Sequence, residues 1–167
     1  MYSIQVMRMS EGVEWALHCC VNLALADPGQ AVPAARLAGY YDLPPVYFNK
    51  QLQALARAGI VVSIPGPRGG FRLARPPERI TLMDVVVAIE GPEPAFRCAE
   101  IRRRGPGATT PAGDPAPCLI DEAMRSAELA WRSALAARTV ADIAGTVRER
   151  APGVPDRVRQ WLAASRA

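Results

Sequence analysis

Lysine is almost missing from this 167-residue chain: Lys50 is the only one among twenty cationic residues, and His18 is the only histidine. The net charge of +4 is therefore carried by arginine, whose planar fork suits phosphate oxygens and base edges. A composition rich in Ala, Pro and Gly carries the same arginine bias. Long apolar runs are missing too: the stretch around residues 83–89 falls well short of the ~18 residues a membrane span requires. The N-terminus has no signal-peptide core, so a cytoplasmic protein without a membrane partner is expected. Neither a glycine-rich nucleotide loop nor an acid–base pair in a recognisable context is present, which argues against an enzyme or an electron-transfer protein. Four cysteines in a cytoplasmic chain long enough to bury its own core argue against a disulfide framework and leave thiol chemistry or metal ligation.

What is present is a succession of short helical patterns and one hairpin. Residues 10–26 form a first amphipathic segment, with Ser10 as N-cap and Val13, Ala16, Leu17, Cys20, Val21 and Ala24 on its apolar face. A short second helix spans 32–41, and Asp42, Leu43 and Pro44 form a tight turn. Pro45 suits the first position of a third helix, in which Phe48, Leu52 and Leu55 share a face until Gly59 ends it. Two helices around a tight turn suggest a helix-turn-helix. The apolar runs 60–64 and 71–74, joined by Pro65-Gly66-Pro67-Arg68-Gly69-Gly70, spell a β-hairpin that serves as the wing.

Thr81 and Asp84 make a capping-box start for a helix that Gly91 and Pro92 stop. Residues 94–117 are rich in Pro, Gly, Ala and Thr and read as a long irregular loop. From 119 to about 138 runs an amphipathic helix with Ile120, Ala123, Met124, Ala127, Trp131, Ala134 and Leu135 along one stripe, and Thr139 with Asp142 caps another. A small winged domain cannot cover that stripe, so a partner helix across a two-fold axis is expected. The tail beyond 151 looks peripheral. The fold class is thus mainly α with a small β-hairpin: a winged helix-turn-helix plus a long C-terminal dimerisation helix.

The chain resembles the iron-sulfur winged-helix regulators typified by IscR and NsrR, over about residues 7–147. The blocks that carry the likeness are Gln53-Ala54-Leu55-Ala56-Arg57-Ala58-Gly59-Ile60-Val61, Gly66-Pro67-Arg68-Gly69-Gly70-Phe71-Arg72-Leu73-Ala74-Arg75, Ile80-Thr81-Leu82-Met83-Asp84-Val85-Val86 and Thr139-Val140-Ala141-Asp142. Glu11-Gly12-Val13-Glu14-Trp15-Ala16-Leu17-His18 and Phe96-Arg97-Cys98 through Arg102-Arg103-Arg104-Gly105-Pro106 look closest to the RsrR type of redox regulator. The resemblance implies a DNA-binding domain at 1–92, a cluster-binding loop at 93–118, dimerisation helices at 119–150 and a peripheral tail at 151–167. It further implies a homodimer on double-stranded DNA with a pseudo-palindromic operator.

In that frame Asn49 and Gln53 are base readers, while Tyr47, Lys50 and Arg57 contact phosphate. Arg68, at the wing tip, enters the minor groove or grips the adjacent backbone. Many relatives hold their cluster with three closely spaced loop cysteines, but this loop offers only Cys98 and Cys118. The expected ligands of a two-iron two-sulfur (2Fe-2S) cluster are therefore Cys98, Cys118, Glu14 and His18, the last two lying one helical turn apart. Zinc accepts the same donor types and remains an alternative. Cys19 and Cys20 are read as packing residues, and Trp15, between the helix ligands, either couples to the cluster or anchors the core. A cluster-free regulator sensing oxidants through Cys98 and Cys118 is the other functional reading.

Overall fold

The computed structural model describes residues 9–108 and 116–164. The remainder of the loop (109–115) and both extreme ends of the domains drawn from the sequence lie outside the described residues. The chain divides into two compact units, one made of Met9–Pro92 with Leu135–Ala167 and the other including Glu93–Ala134.

The larger unit is built around α1 (Glu11–Leu25), which buries Val13, Ala16, Cys19, Cys20, Val21, Leu23 and Leu25. Ser10 occupies the N-cap position but does not cap. Its amide and hydroxyl both donate to Glu90 Oε1, at 2.7 and 2.5 Å, which pins the start of α1 to the end of α4 (Leu82–Glu90). The second helix is shorter than its pattern suggested, α2 covering Ala34–Gly39, and α3 (Pro45–Arg57) follows with proline at its first position. Together they form the helix-turn-helix.

Strands β1 (Val61–Ile64) and β2 (Gly70–Leu73) pair antiparallel, with Val61 opposite Leu73 and Ile64 opposite Gly70. The hairpin is also tied to the chain just before α2: Val32 and Phe71 exchange backbone hydrogen bonds, both 2.8 Å long. Gly70 makes this close approach feasible. Its φ is +142°, and a Cβ there would lie 2.3 Å from the Val32 carbonyl carbon.

Both expected capping boxes form. Thr81 accepts from the Asp84 amide at 3.0 Å and Thr139 from that of Asp142 at 3.1 Å, each aspartate accepting in return from its threonine's amide. The two caps stand side by side, because Leu82 N donates to Arg138 O and Val140 N to Ile80 O, so α4 and α6 (Val140–Arg150) start from one backbone bridge.

The C-terminal segment corrects the expectation of a peripheral tail. Its residues form α7 (Gly153–Ala163), whose Val158 and Leu162 are 0% and 1% exposed within the main core. Arg36 Nε donates to Trp161 O (2.6 Å), Trp161 Nε1 donates back to Arg36 O (2.9 Å), and the guanidinium stacks 4.3 Å from the indole centroid. This reciprocal clasp fixes α7 to the first helix of the helix-turn-helix.

In the smaller unit α5 (Leu119–Ala136) has no buried residue, and Ile120 and Leu129 are each 67% exposed. Glu128 accepts from the Ala95 amide and from Arg132, and Arg132 also donates to the Glu93 carbonyl, which ties the entrance of the loop to this helix. Among the described residues no helix is long and apolar enough to cross a membrane.

Leu162→Ala should destabilise the protein by about 2–5 kcal/mol, the cost of removing a fully buried leucine side chain. Chemical denaturation followed by circular dichroism measures this, and an unchanged transition midpoint would return α7 to the periphery.

Candidate DNA-reading face and metal centre

Helix α3 divides cleanly into two faces. Phe48, Leu52 and Leu55 are 2% or less exposed, whereas Val46, Asn49, Lys50, Gln53 and Arg57 recur at helical spacing along the opposite, solvent-facing stripe, with Tyr47 exposed beside it. The wing turn, closed by Gly69 N donating to Gly66 O at 2.9 Å, leaves Arg68 exposed at its tip. At the base of the hairpin Arg75 pairs with Asp84 at 3.2 Å, linking the wing to the capping box of α4. Val46, which the helical spacing turns away from the core, shares the exposed stripe of the expected base readers.

The four cysteines separate into two kinds. Cys19 and Cys20 are 3% and 0% exposed, and burial raises both thiols, Cys20 to about 12. They are core residues. Cys19, placed off the apolar face by its sequence position, is buried as deeply as its neighbour because α1 is covered on several sides.

Cys98 and Cys118, from opposite ends of the loop, lie near enough for each to shift the other's thiol pKa. Cys118 sits just before α5, where the amides of Asp121 and Ile120 point at its sulfur and hold the thiol below its ordinary value. Cys98 Sγ accepts from the Glu100 amide at 3.4 Å, which lowers its pKa, but partial desolvation and the adjacent Cys118 leave it raised on balance.

Two residues outside the expected set hold this pair. Glu100 adopts a left-handed conformation (φ +52°) that presents its amide to Cys98, and its carboxylate pairs with Arg102 at 2.9 Å and Arg103 at 3.2 Å. Those arginines, Arg102 foremost, keep the Glu100 carboxyl below the usual range. Arg102 also donates to the carbonyls of Ala116 and Pro117, closing one flank of the loop against the other.

Glu14 and His18 are both exposed and line a groove of about 410 Å³ on α1, with Met9, Ser10 and Leu17 among its walls. His18 Nδ1 lies 3.2 Å from the Tyr41 hydroxyl, and the rings meet edge to face at 5.0 Å. The same hydroxyl reaches Asn22 Oδ1 at 3.4 Å, and desolvation pushes the phenol upward. Trp15 is half-buried against the core. Among the described residues no three His, Cys, Asp or Glu side chains gather into one metal-binding group. Cys98 and Cys118 belong to the smaller unit, Glu14 and His18 to the larger.

Residues 9–146 match the Rrf2 family, described as an iron-dependent transcriptional regulator. The chain belongs to the Rrf2 family. An HTH-type transcriptional regulator of Mycobacterium tuberculosis, Rv1287, is 36% identical over 139 residues, covering 83% of this chain and 82% of that protein. BadM of Rhodopseudomonas palustris is 38% identical over 80 residues, 48% of this chain, so the match spans about half (51%) of that relative's length. These relatives are named as transcriptional regulators, not enzymes. Among solved structures, CymR, the global cysteine regulator of B. subtilis, superposes with a TM-score of 0.66 at 24% identity, covering 83% of this chain and 97% of that one. IscR of T. potens gives 0.66 at 19%, covering 86% and 90%. At these identities the likeness is one of fold, and it shows that this Rrf2 chain has the winged-helix architecture of those regulators.

The environments of the thiols set their reactivity, because the thiolate is the nucleophile. Alkylation of the metal-free protein by iodoacetamide should modify Cys118 first and persist to lower pH there than at Cys98, with Cys19 and Cys20 unmodified until the protein unfolds. Mass spectrometry of timed digests measures the order; equal rates at all four positions would contradict it.

Proposed function

We propose that this Rrf2 protein is a homodimeric, cytoplasmic DNA-binding regulator whose operator affinity follows the redox state or presence of a 2Fe-2S cluster held by Glu14, His18, Cys98 and Cys118. The observation that carries the reading is the tying of the loop's two flanks by Arg102, which pairs with Glu100 beside Cys98 and donates to the Pro117 carbonyl beside Cys118, so that the two thiols lie close enough to influence one another. Two thiolates supply half the ligands such a cluster takes, and His18 with Glu14 offers the types needed for the rest. When bound, the cluster supplies a reversible one-electron change. The chain's own residues do everything else: α1 carries two ligands on a helix packed against α3, so a change in their charge acts on the reading helix through the core.

On DNA, α3 lies in the major groove with Asn49 and Gln53 toward base edges, and Tyr47, Lys50 and Arg57 toward phosphates. Arg68 reaches the minor groove or its backbone from the wing. The apolar stripe of α5, with Ile120 exposed and Met124, Trp131 and Leu135 half-buried, packs on a second copy and sets two reading helices on a pseudo-palindrome. The nearness of the two thiols also favours a second reading, a cluster-free regulator that senses oxidants through Cys98 and Cys118 as thiols.

Anaerobic reconstitution followed by iron, sulfide and zinc analysis separates the readings, with sedimentation of the same sample reporting the dimer. Cys98→Ala and Cys118→Ala should each abolish the cluster, His18→Ala and Glu14→Ala should reduce or alter it, and Cys19→Ala should leave its spectrum intact. Full loading in the His18 and Glu14 variants would overturn the ligand set; zinc without sulfide would replace the cluster by a zinc site.

Arg68→Ala should weaken binding to an operator selected from random-sequence DNA and make log affinity against log salt shallower by about one unit, as loss of a single phosphate contact does. An unchanged affinity and slope would remove the wing from the interface.

A further inference from the structure

Asn22 is the one polar side chain buried in the larger unit's core among the described residues, at 3% exposure. Its Oδ1 carries no hydrogen and is satisfied only by accepting one. The donor is the Tyr41 hydroxyl at 3.4 Å. A phenol has a single proton, so once that proton is directed to Asn22 the hydroxyl oxygen is left as an acceptor. The other polar atom on it is His18 Nδ1 at 3.2 Å, and a hydrogen bond forms there only if Nδ1 carries the hydrogen. Hydrogen-bond accounting thus runs in one direction along the chain of three: His18 Nδ1–H to Tyr41, Tyr41 O–H to Asn22.

We propose that Tyr41 is a positioning residue for His18, holding the imidazole in its Nδ1–H tautomer with Nε2 bare and available as the metal-binding nitrogen. The assignment deepens the cluster reading, on which only its purpose rests; the tautomer is a property of the metal-free chain. Ligating histidines are fixed in just this way, by a partner on the nitrogen that does not bind metal. The partner here has a second role, because Tyr41 lies in the turn between α2 and α3, beside Asp42 in the left-handed conformation (φ +53°). Its ring meets Tyr40 edge-on at 4.8 Å, and Tyr40 in turn meets Trp161 of α7 at 6.2 Å. The orientation of a ligand on α1 is thereby bound to the turn of the helix-turn-helix.

His18 is the only histidine in the chain, so its ring nitrogens give isolated signals. Long-range ¹H–¹⁵N correlation spectra of the full, metal-free protein are recorded at increasing alkaline pH until the ring signals no longer move, so that they report the tautomer alone. The wild type should show mainly the Nδ1–H form, and Tyr41→Phe, which keeps the ring and removes the hydroxyl, should revert to the Nε2–H form that an unconstrained histidine prefers. In reconstituted protein the same substitution should weaken retention of iron against a chelator by about 10–100-fold, the usual cost of losing such a partner. Mainly Nε2–H in the wild type, or the same tautomer in a Tyr41→Phe protein whose circular dichroism is native, would overturn the proposal. A wild type that holds no cluster yet shows the Nδ1–H form and loses it on Tyr41→Phe would support the positioning role and defeat the cluster reading instead.

Discussion

The larger unit depends on the burial of one helix. Helix α1 packs against α3, α4, α6, α7 and β2, and it can do so because Gly12, Ala16, Cys19 and Cys20 let neighbours approach closely. Interiors packed to this density do not absorb a shift of one element locally. A displacement of α1 is therefore passed to whatever lies against it. The same helix turns Glu14 and His18 outward, so the most constrained element of the fold also carries the side chains proposed to respond to a metal centre.

Backbone bridges extend that constraint to both halves of the DNA-reading apparatus. The Val32–Phe71 pair ties the wing to the start of α2, and the paired caps at Thr81 and Thr139 set α4 and α6 from one point. With Phe48, Leu52 and Leu55 committed to the core, α3 has no choice of face, and its polar stripe is left for solvent or DNA. Cysteine contributes to this in an unusual division. Two thiols are spent as small core hydrophobes, and burial keeps them protonated; the other two lie in a loop held by Arg102 and Glu100, where helix amides favour a thiolate at Cys118.

Much of this architecture was legible beforehand, and each legible part rests on a local rule. The 3.6-residue period placed Phe48, Leu52 and Leu55 together, proline at the first helical position marked α3, a glycine-rich turn marked the hairpin, and threonine with aspartate three residues on marked α4 and α6. Local rules also misled. Ser10 has the residue type and position of a cap, but Glu90, eighty residues away, takes its hydroxyl. The segment after 151 looked peripheral because nothing in its spacing reveals that Val158 and Leu162 have a core to enter, or that Trp161 meets Arg36 across 125 positions.

The functional residues follow the same divide. Sequence alone determined the inventory: one histidine, a glutamate one turn before it, two loop cysteines, and a recognition helix whose apolar face was already spoken for. Composition and helical periodicity suffice for that, since they concern which groups exist and which share a face. Tertiary structure decided which of them meet. The nearness of Cys98 to Cys118, the left-handed Glu100 that presents its amide to Cys98, and the Asn22–Tyr41–His18 hydrogen bonds all join residues well separated along the chain or depend on backbone conformation. Such contacts are set by how packed elements close on one another, and no spacing rule within a single element contains that information.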